Sequence, residues 1–171
     1  YINYLKNCDV NSSYLENLYE EILEYKNFEA PSSTTNNLKG IDIRQIFINQ
    51  SITLSIIDPG KISRGFREVD LARFIVTCRI VYWGTIAIFF KITPKPSYEQ
   101  KFLIGYFGDI ELISKVLNLL IIKEIFKHWK MAHLSLARKK WPKLIIFLLR
   151  KLYIDRFYKW LISNELKKLN R

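Results

Sequence analysis

Apolar residues recur along this chain at two different spacings, and the change of spacing marks out its parts. Leu15, Leu18, Ile22 and Tyr25 fall three or four apart, the spacing of one helix face. Ser13-Tyr14-Leu15-Glu16 stands at their head and reads as a capping box, in which hydroxyl and carboxylate each serve a free backbone N–H. A helix over about residues 13–26 follows. Ala30 to Asn37 is polar, without apolar period, and reads as a connecting loop. The pattern then turns to that of strands. Ile46-Phe47-Ile48, a turn through Asn49-Gln50-Ser51, and the β-branched or apolar run Ile52 to Ile57 predict a β-hairpin. Asp58-Pro59-Gly60 stops it with a residue that cannot donate to a ladder and one that tolerates positive φ.

From Glu68 the helical spacing returns, with Leu71, Phe74, Ile75 and Cys78, and Thr93-Pro94-Lys95-Pro96 ends it. Ser97-Tyr98-Glu99-Gln100 opens a short helix to about Phe107 as a second capping box. Asp109 is the expected N-cap of a long helix to about Lys139, and Trp141-Pro142 breaks it. The last helix, over about residues 142–169, interleaves Trp141, Phe147, Tyr153, Phe157, Tyr158 and Trp160 with Lys and Arg. Such interleaving suits a membrane interface, and equally a helix packed by one face and wet on the other. The fold class expected is mainly α with one small β-hairpin. Phe74 to Phe90 is the best candidate for a membrane span, but it is short of the roughly twenty apolar residues required and carries Arg79 near its middle. A buried core helix is the better reading.

The 171 residues, 49% of them hydrophobic, are enough for a single domain with a real core. Cys8 and Cys78 lie far apart with no Cys-x-x-Cys, so they read as thiols of a reducing compartment and the chain as cytoplasmic. His128 and His133 are five apart, not the facing spacing of a metal pair, and read as surface or groove residues. The net charge of +11 changes the picture more. Lys123 to Arg171 holds fourteen Lys or Arg and three acids, while the thirteen cations and thirteen acids before it cancel. A basic tail on a neutral body points to an anionic partner, such as a peripheral membrane surface, or to a merely solvated face. Without a helix-turn-helix, zinc finger or RNA-stacking motif, nucleic acid is the weakest of these partners. The sequence begins at Tyr1 and shows no cleavable signal pattern, as a piece of a longer chain would.

An acid at a strand end, as Asp58 is, is a common place for a metal ligand, although Asp-Pro-Gly is also an ordinary turn. Ile57-Asp58-x-Gly60, then Asp70-Leu71-Ala72-Arg73-Phe74, resembles the metal-binding and following-helix segment of the aminoglycoside and choline phosphotransferase family. The hairpin before it resembles the one after that family's catalytic loop, and Phe102-Leu103-Ile104-Gly105-Tyr106 resembles the opening of its later helical part. The similarity runs from about Tyr14 to Lys130, dividing the chain into residues 13–130 and a basic aromatic extension over 131–171. It implies the C-terminal lobe of a protein-kinase-like α+β fold, using magnesium and ATP.

The resemblance implies Asp58 and Gln45 as metal ligands, Gln45 standing where the family has Asn. Gly40 falls where the family's catalytic Asp belongs and Leu38 where its His belongs, so the nearest substitute base is Asp42. Asp70 matches an acid that steadies the catalytic loop. No Gly-x-Gly-x-x-Gly occurs in this sequence, so the nucleotide-binding N-terminal lobe expected of a kinase-like enzyme is missing from it. The resulting expectation is a degenerate lobe, inactive alone, whose acceptor is an anionic, sugar or lipid hydroxyl. The alternative is a non-catalytic scaffold held at a membrane surface by the basic C-terminal helices.

Overall fold

The computed structural model describes residues 1–8, 10–25, 34–39, 46–51, 53–56, 61–66, 68–83, 97–108 and 115–170. The protein is mainly α-helical with small two-stranded sheets. It folds as two compact units, one from Tyr1–Glu29 with Ile122–Arg171 and the other from Ala30–Ile121. This division differs from the boundary at residue 130 implied by the resemblance, because the N-terminal helices pack with the C-terminal ones. Among the described residues no helix is long and apolar enough to cross a membrane.

The first unit opens with α1 (Ile2–Lys6) and α2 (Ser12–Leu23). The cap of α2 is Asn11 and not the expected Ser13. Asn11 Oδ1 accepts from the Tyr14 backbone N–H at 3.0 Å and from the Ser13 hydroxyl at 2.6 Å. Asparagine caps as well as serine, and with Asn11 in place Glu16 is released to pair with Lys6 at 2.6 Å, tying α2 to α1. The remainder is the long helix α5 (Lys115–Ala137), from Ile122 onward, then α6 (Lys143–Leu148), a π-helical segment Leu149–Ile154, and α7 (Asp155–Leu169).

Side-chain pairs set how these helices run. Lys159 sits over the Tyr14 ring at 4.5 Å and Tyr25 donates to Asn170, eleven residues on in both helical segments, so α2 and α7 run parallel. Trp129 stacks on Tyr158 with ring centroids 6.0 Å apart, whereas His133 meets Asp155, so α5 and α7 run antiparallel. Leu5, Leu15, Leu18, Ile125, Phe126, Phe157, Leu161 and Ile162 fill the core of this unit. Phe157 and Tyr158, two of the interleaved aromatics, are therefore core residues.

In the second unit the expected hairpin is present as β2 (Ile46–Ile48) and β3 (Leu54–Ile56), with Ile46 opposite Ile56. Asn49 shapes its turn, its side chain accepting from the Thr53 N–H at 2.8 Å and the Ser51 hydroxyl at 3.0 Å. A second ladder was not legible in the sequence. β1 (Thr34–Lys39) pairs antiparallel with β4 (Lys61–Phe66), from Thr34 opposite Phe66 to Lys39 opposite Lys61. Thr34 to Asn37, read above as loop, is strand, and so is Lys61–Phe66. Polar strands carry no hydrophobic alternation, and their stabilisation comes from backbone pairing with a partner distant in sequence. Asn37 is buried against this ladder and donates from Nδ2 to the Phe66 carbonyl at 2.8 Å. A Cβ on Gly65 would lie 2.8 Å from that nitrogen, so a side chain there would displace the Asn37 amide.

Helix α3 (Glu68–Trp83) follows β4 directly, with Glu68 and Asp70 in its first turn, where carboxylates suit the helix dipole. It buries Leu71, Ala72, Ile75 and Val76. Phe74 packs on Phe102 of α4 (Ser97–Phe107) with ring centroids 4.6 Å apart. The arginine that argued against a membrane span has a different role: Arg79 Nε and Nη2 donate to the two carboxylate oxygens of Glu99 at 2.9 and 2.5 Å, clamping α3 to α4.

Breaking such a pair leaves a buried charge, which costs more than the pair itself contributes. We expect Glu99→Gln to lower the unfolding free energy by about 3 kcal/mol, the low end for a buried pair because Glu99 is partly exposed. Arg79→Met with Glu99→Leu should recover most of that loss, and urea unfolding of the three proteins measures it. Equal stability of Glu99→Gln and the wild type would show the clamp to be inert.

Candidate functional site

The residues singled out by the resemblance, Asp42, Gln45 and Asp58, lie outside the described residues, as does Gly40. What the structure supplies is the frame on either side of them. The ladder β1–β4 ends at the pair Lys39 and Lys61, and the ladder β2–β3 begins at the pair Ile46 and Ile56. In sequence, residues 40–45 lie between β1 and β2 and residues 57–60 between β3 and β4, so the β2–β3 ladder is nested within the strand order of the β1–β4 ladder. Gln45 directly precedes the partnered Ile46, and Asp58 follows the partnered Ile56 by two positions. Asp70, half-buried, sits one turn into the helix that follows β4.

The first unit holds a second polar place, which sequence reasoning missed. His133 is fully buried and not a surface or groove residue. Its Nε2 lies 2.8 Å from Asp155 Oδ1, and Trp129 Nε1 lies 3.0 Å from the same oxygen and 3.2 Å from that nitrogen. An ionised carboxylate only accepts, so Nε2 carries the hydrogen and the indole N–H is given to Asp155. Burial, the largest influence on this carboxyl, works to raise its pKa. The hydrogen bonds from His133 and Trp129, and then the charges of His133 and Lys151, outweigh it and hold the group below its ordinary range.

The other oxygen of Asp155 faces Lys151 at 4.0 Å, on the wall of an open cleft of about 470 Å³ lined also by Asn11, Ser12, Arg156 and Lys159. Three cations and the start of α2 make this cleft electropositive. Tyr14 lies beneath Lys159, and burial, helped by the charge of Glu21, pushes its phenol up to about 12. The sequence signal of the network is His133 and Asp155, twenty-two residues apart with only basic and neutral residues between them. Among the described residues no group of three or more His, Cys, Asp or Glu could hold a metal ion.

No protein-family model, curated protein sequence or solved structure matches this chain.

Because the carboxyl of Asp155 is held low in the fold, the stability it contributes is complete above its unfolded pKa of about 3.9 and is lost as the pH falls through its folded value. We expect Asp155→Asn to cost about 2 kcal/mol at neutral pH, in the range for hydrogen bonds to a charged group. The variant should also lose less stability than the wild type on going below pH ~4, the region where the carboxylate titrates. Denaturant unfolding across the acid range tests this, and parallel pH profiles would assign the acid sensitivity to other groups.

Proposed function

We propose that this chain is the helical lobe of a kinase-like small-molecule phosphotransferase, of the aminoglycoside and choline phosphotransferase type, and that it turns over no substrate alone. The observation that supports the reading is the nested order of the two ladders, β2–β3 falling between β1 and β4 in sequence. The catalytic loop of this reading falls at Leu38 to Gln45, beginning in the end of β1, and its metal-binding segment at residues 57–60, so the two stretches lie in sequence on either side of the β2–β3 ladder. An acidic helix start then follows at Asp70, in the order the resemblance requires.

In this reading Asp58 and Gln45 are the metal ligands and Asp42 is a displaced base. A carboxylate and an amide oxygen are hard donors, suited in kind to magnesium. What supports pairing them is the ladder between them, in which Ile46, next to Gln45 in sequence, is paired with Ile56, two positions before Asp58. Magnesium bound there would offset the phosphate charge of an ATP-type donor. The chain's own residues would orient the acceptor hydroxyl through Asp42 and steady the loop through Asp70. Gly40 in place of the family's Asp removes a general base, worth about 10²–10⁴ in rate. The missing nucleotide clamp removes positioning, which can supply about 7–11 kcal/mol of the barrier. The acceptor class we assign is an anionic, sugar or lipid hydroxyl, and the compartment is the cytoplasm with peripheral membrane association.

Manganese as a paramagnetic probe tests the metal assignment without relying on turnover. Broadening of the Ile46 and Ile56 amide resonances is expected in the wild type and in Asp42→Ala, and its loss in Asp58→Ala. Undiminished broadening in Asp58→Ala removes the assignment. ATP hydrolysis and transfer by the lone chain should be at background, whereas turnover abolished by Asp58→Ala would show the lobe to be active by itself.

A further inference from the structure

We propose that residues 138–152 dock this protein on an anionic lipid bilayer, with their apolar side chains entering the boundary between headgroups and acyl chains. The inference goes beyond the phosphotransferase reading and does not rest on it.

Three observations carry it. Helix α6 buries none of its residues, although its sequence is Lys-Leu-Ile-Ile-Phe-Leu. Leu144 is 67% exposed, Phe147 53%, Leu152 53% and Trp141 49%. Leu144, Ile145, Leu148 and Leu152 recur at helical spacing and form one outward stripe, with Trp141 and Phe147 beside it. Such a contiguous exposed apolar patch marks an interaction site.

The second observation is charge. Arg138, Lys139, Lys140 and Lys143 precede the stripe, Arg150 and Lys151 fall within its end, and no acid occurs between Glu124 and Asp155. A protein partner would have to bury lysines, which interface cores disfavour, and a free phosphate would leave the leucines and Phe147 uncovered. An anionic bilayer answers both: cations stay at phosphate level while leucine, phenylalanine and tryptophan enter the boundary, tryptophan being a preferred residue at that depth.

The third observation is the contrast with α7. Past the π-helical turn, Asp155, Phe157, Tyr158, Leu161 and Ile162 are buried. The basic tail thus divides at that turn into a stretch that builds the core and a stretch left outside it. The exposed stretch is too short to span a bilayer and lies in the plane of its surface.

The test uses the full chain, with sedimentation against vesicles of phosphatidylcholine with and without phosphatidylserine, and tryptophan emission as the depth reading. Binding should require phosphatidylserine and weaken steeply with added salt. Leu144→Ser with Leu148→Ser should lower vesicle affinity by about tenfold or more and abolish the blue shift of the emission. Both positions are exposed, and an unchanged near-ultraviolet circular dichroism spectrum confirms that Trp129 is still packed. Lys139→Gln with Lys140→Gln should weaken binding but keep the blue shift at saturating lipid. Trp141→Phe should keep binding and lose most of the shift. Failure of the wild type to bind, or wild-type affinity in the serine variant, overturns the proposal, the latter leaving surface attraction without insertion. Light scattering that shows a dimer dissolved by the serine substitutions also overturns it, and assigns the stripe to a second copy of the chain.

Discussion

The carboxylate of Asp155 is buried where α5 crosses α7, and a carboxylate taken out of water costs several kcal/mol unless its charge is met by hydrogen bonds. Trp129 and His133 meet it from one face of α5, four residues apart, so the demand of a single anion fixes the rotation of α5 about its axis. Once that rotation is set, Ile122, Ile125 and Phe126 must point inward and Trp129 must lie flat on Tyr158. Asp155 is also the first residue of α7, so the same anion sets where the chain stops being core and the exposed helix ahead of it begins. In the second unit Arg79 and Glu99 do comparable work between α3 and α4.

Much of this architecture can be read from spacing alone, because helices over apolar stripes and a β-branched hairpin leave periodic signals. The readings that failed did so for identifiable reasons. Ser13 loses the cap to Asn11 because both are good caps and only the placement of α1 decides between them. Thr34 to Asn37 gives no strand signal because a polar strand pairs through its backbone, which every residue carries alike. His133 was taken for a surface residue because nothing local to it shows a carboxylate arriving from Asp155. The candidate site stands differently. Asp42, Gln45 and Asp58 are legible only as a pattern of residue types in order, and the structure describes the ladders that flank them in sequence.

Periodicity also cannot distinguish a helix face that is covered from one that is left open. Residues 144–152 and residues 157–166 both show apolar positions at helical spacing, yet the first set faces outward and the second builds the core. The difference lies in what each face meets. Facing α7 are α2, running parallel to it, and α5, held by Asp155, whereas no residue of α6 is buried and only Ile146 is partly covered.

Charge counted along the chain is likewise redistributed by folding. The +11 of the last forty-nine residues shares its unit with residues 1–29, which carry Lys6 and Lys26 against Asp9, Glu16, Glu20, Glu21, Glu24 and Glu29. Four of the positive charges of that unit are thereby offset. Lys6 is already engaged with Glu16, and Lys127 and Lys168 with Glu124 and Glu165. Arg138, Lys139, Lys140 and Lys143 are exposed beside the apolar stripe, and Lys151 faces Asp155 at 4.0 Å. The field that an anionic surface meets is therefore that of one short exposed segment, which makes the position of a charge in this tail matter more than the number of charges it holds.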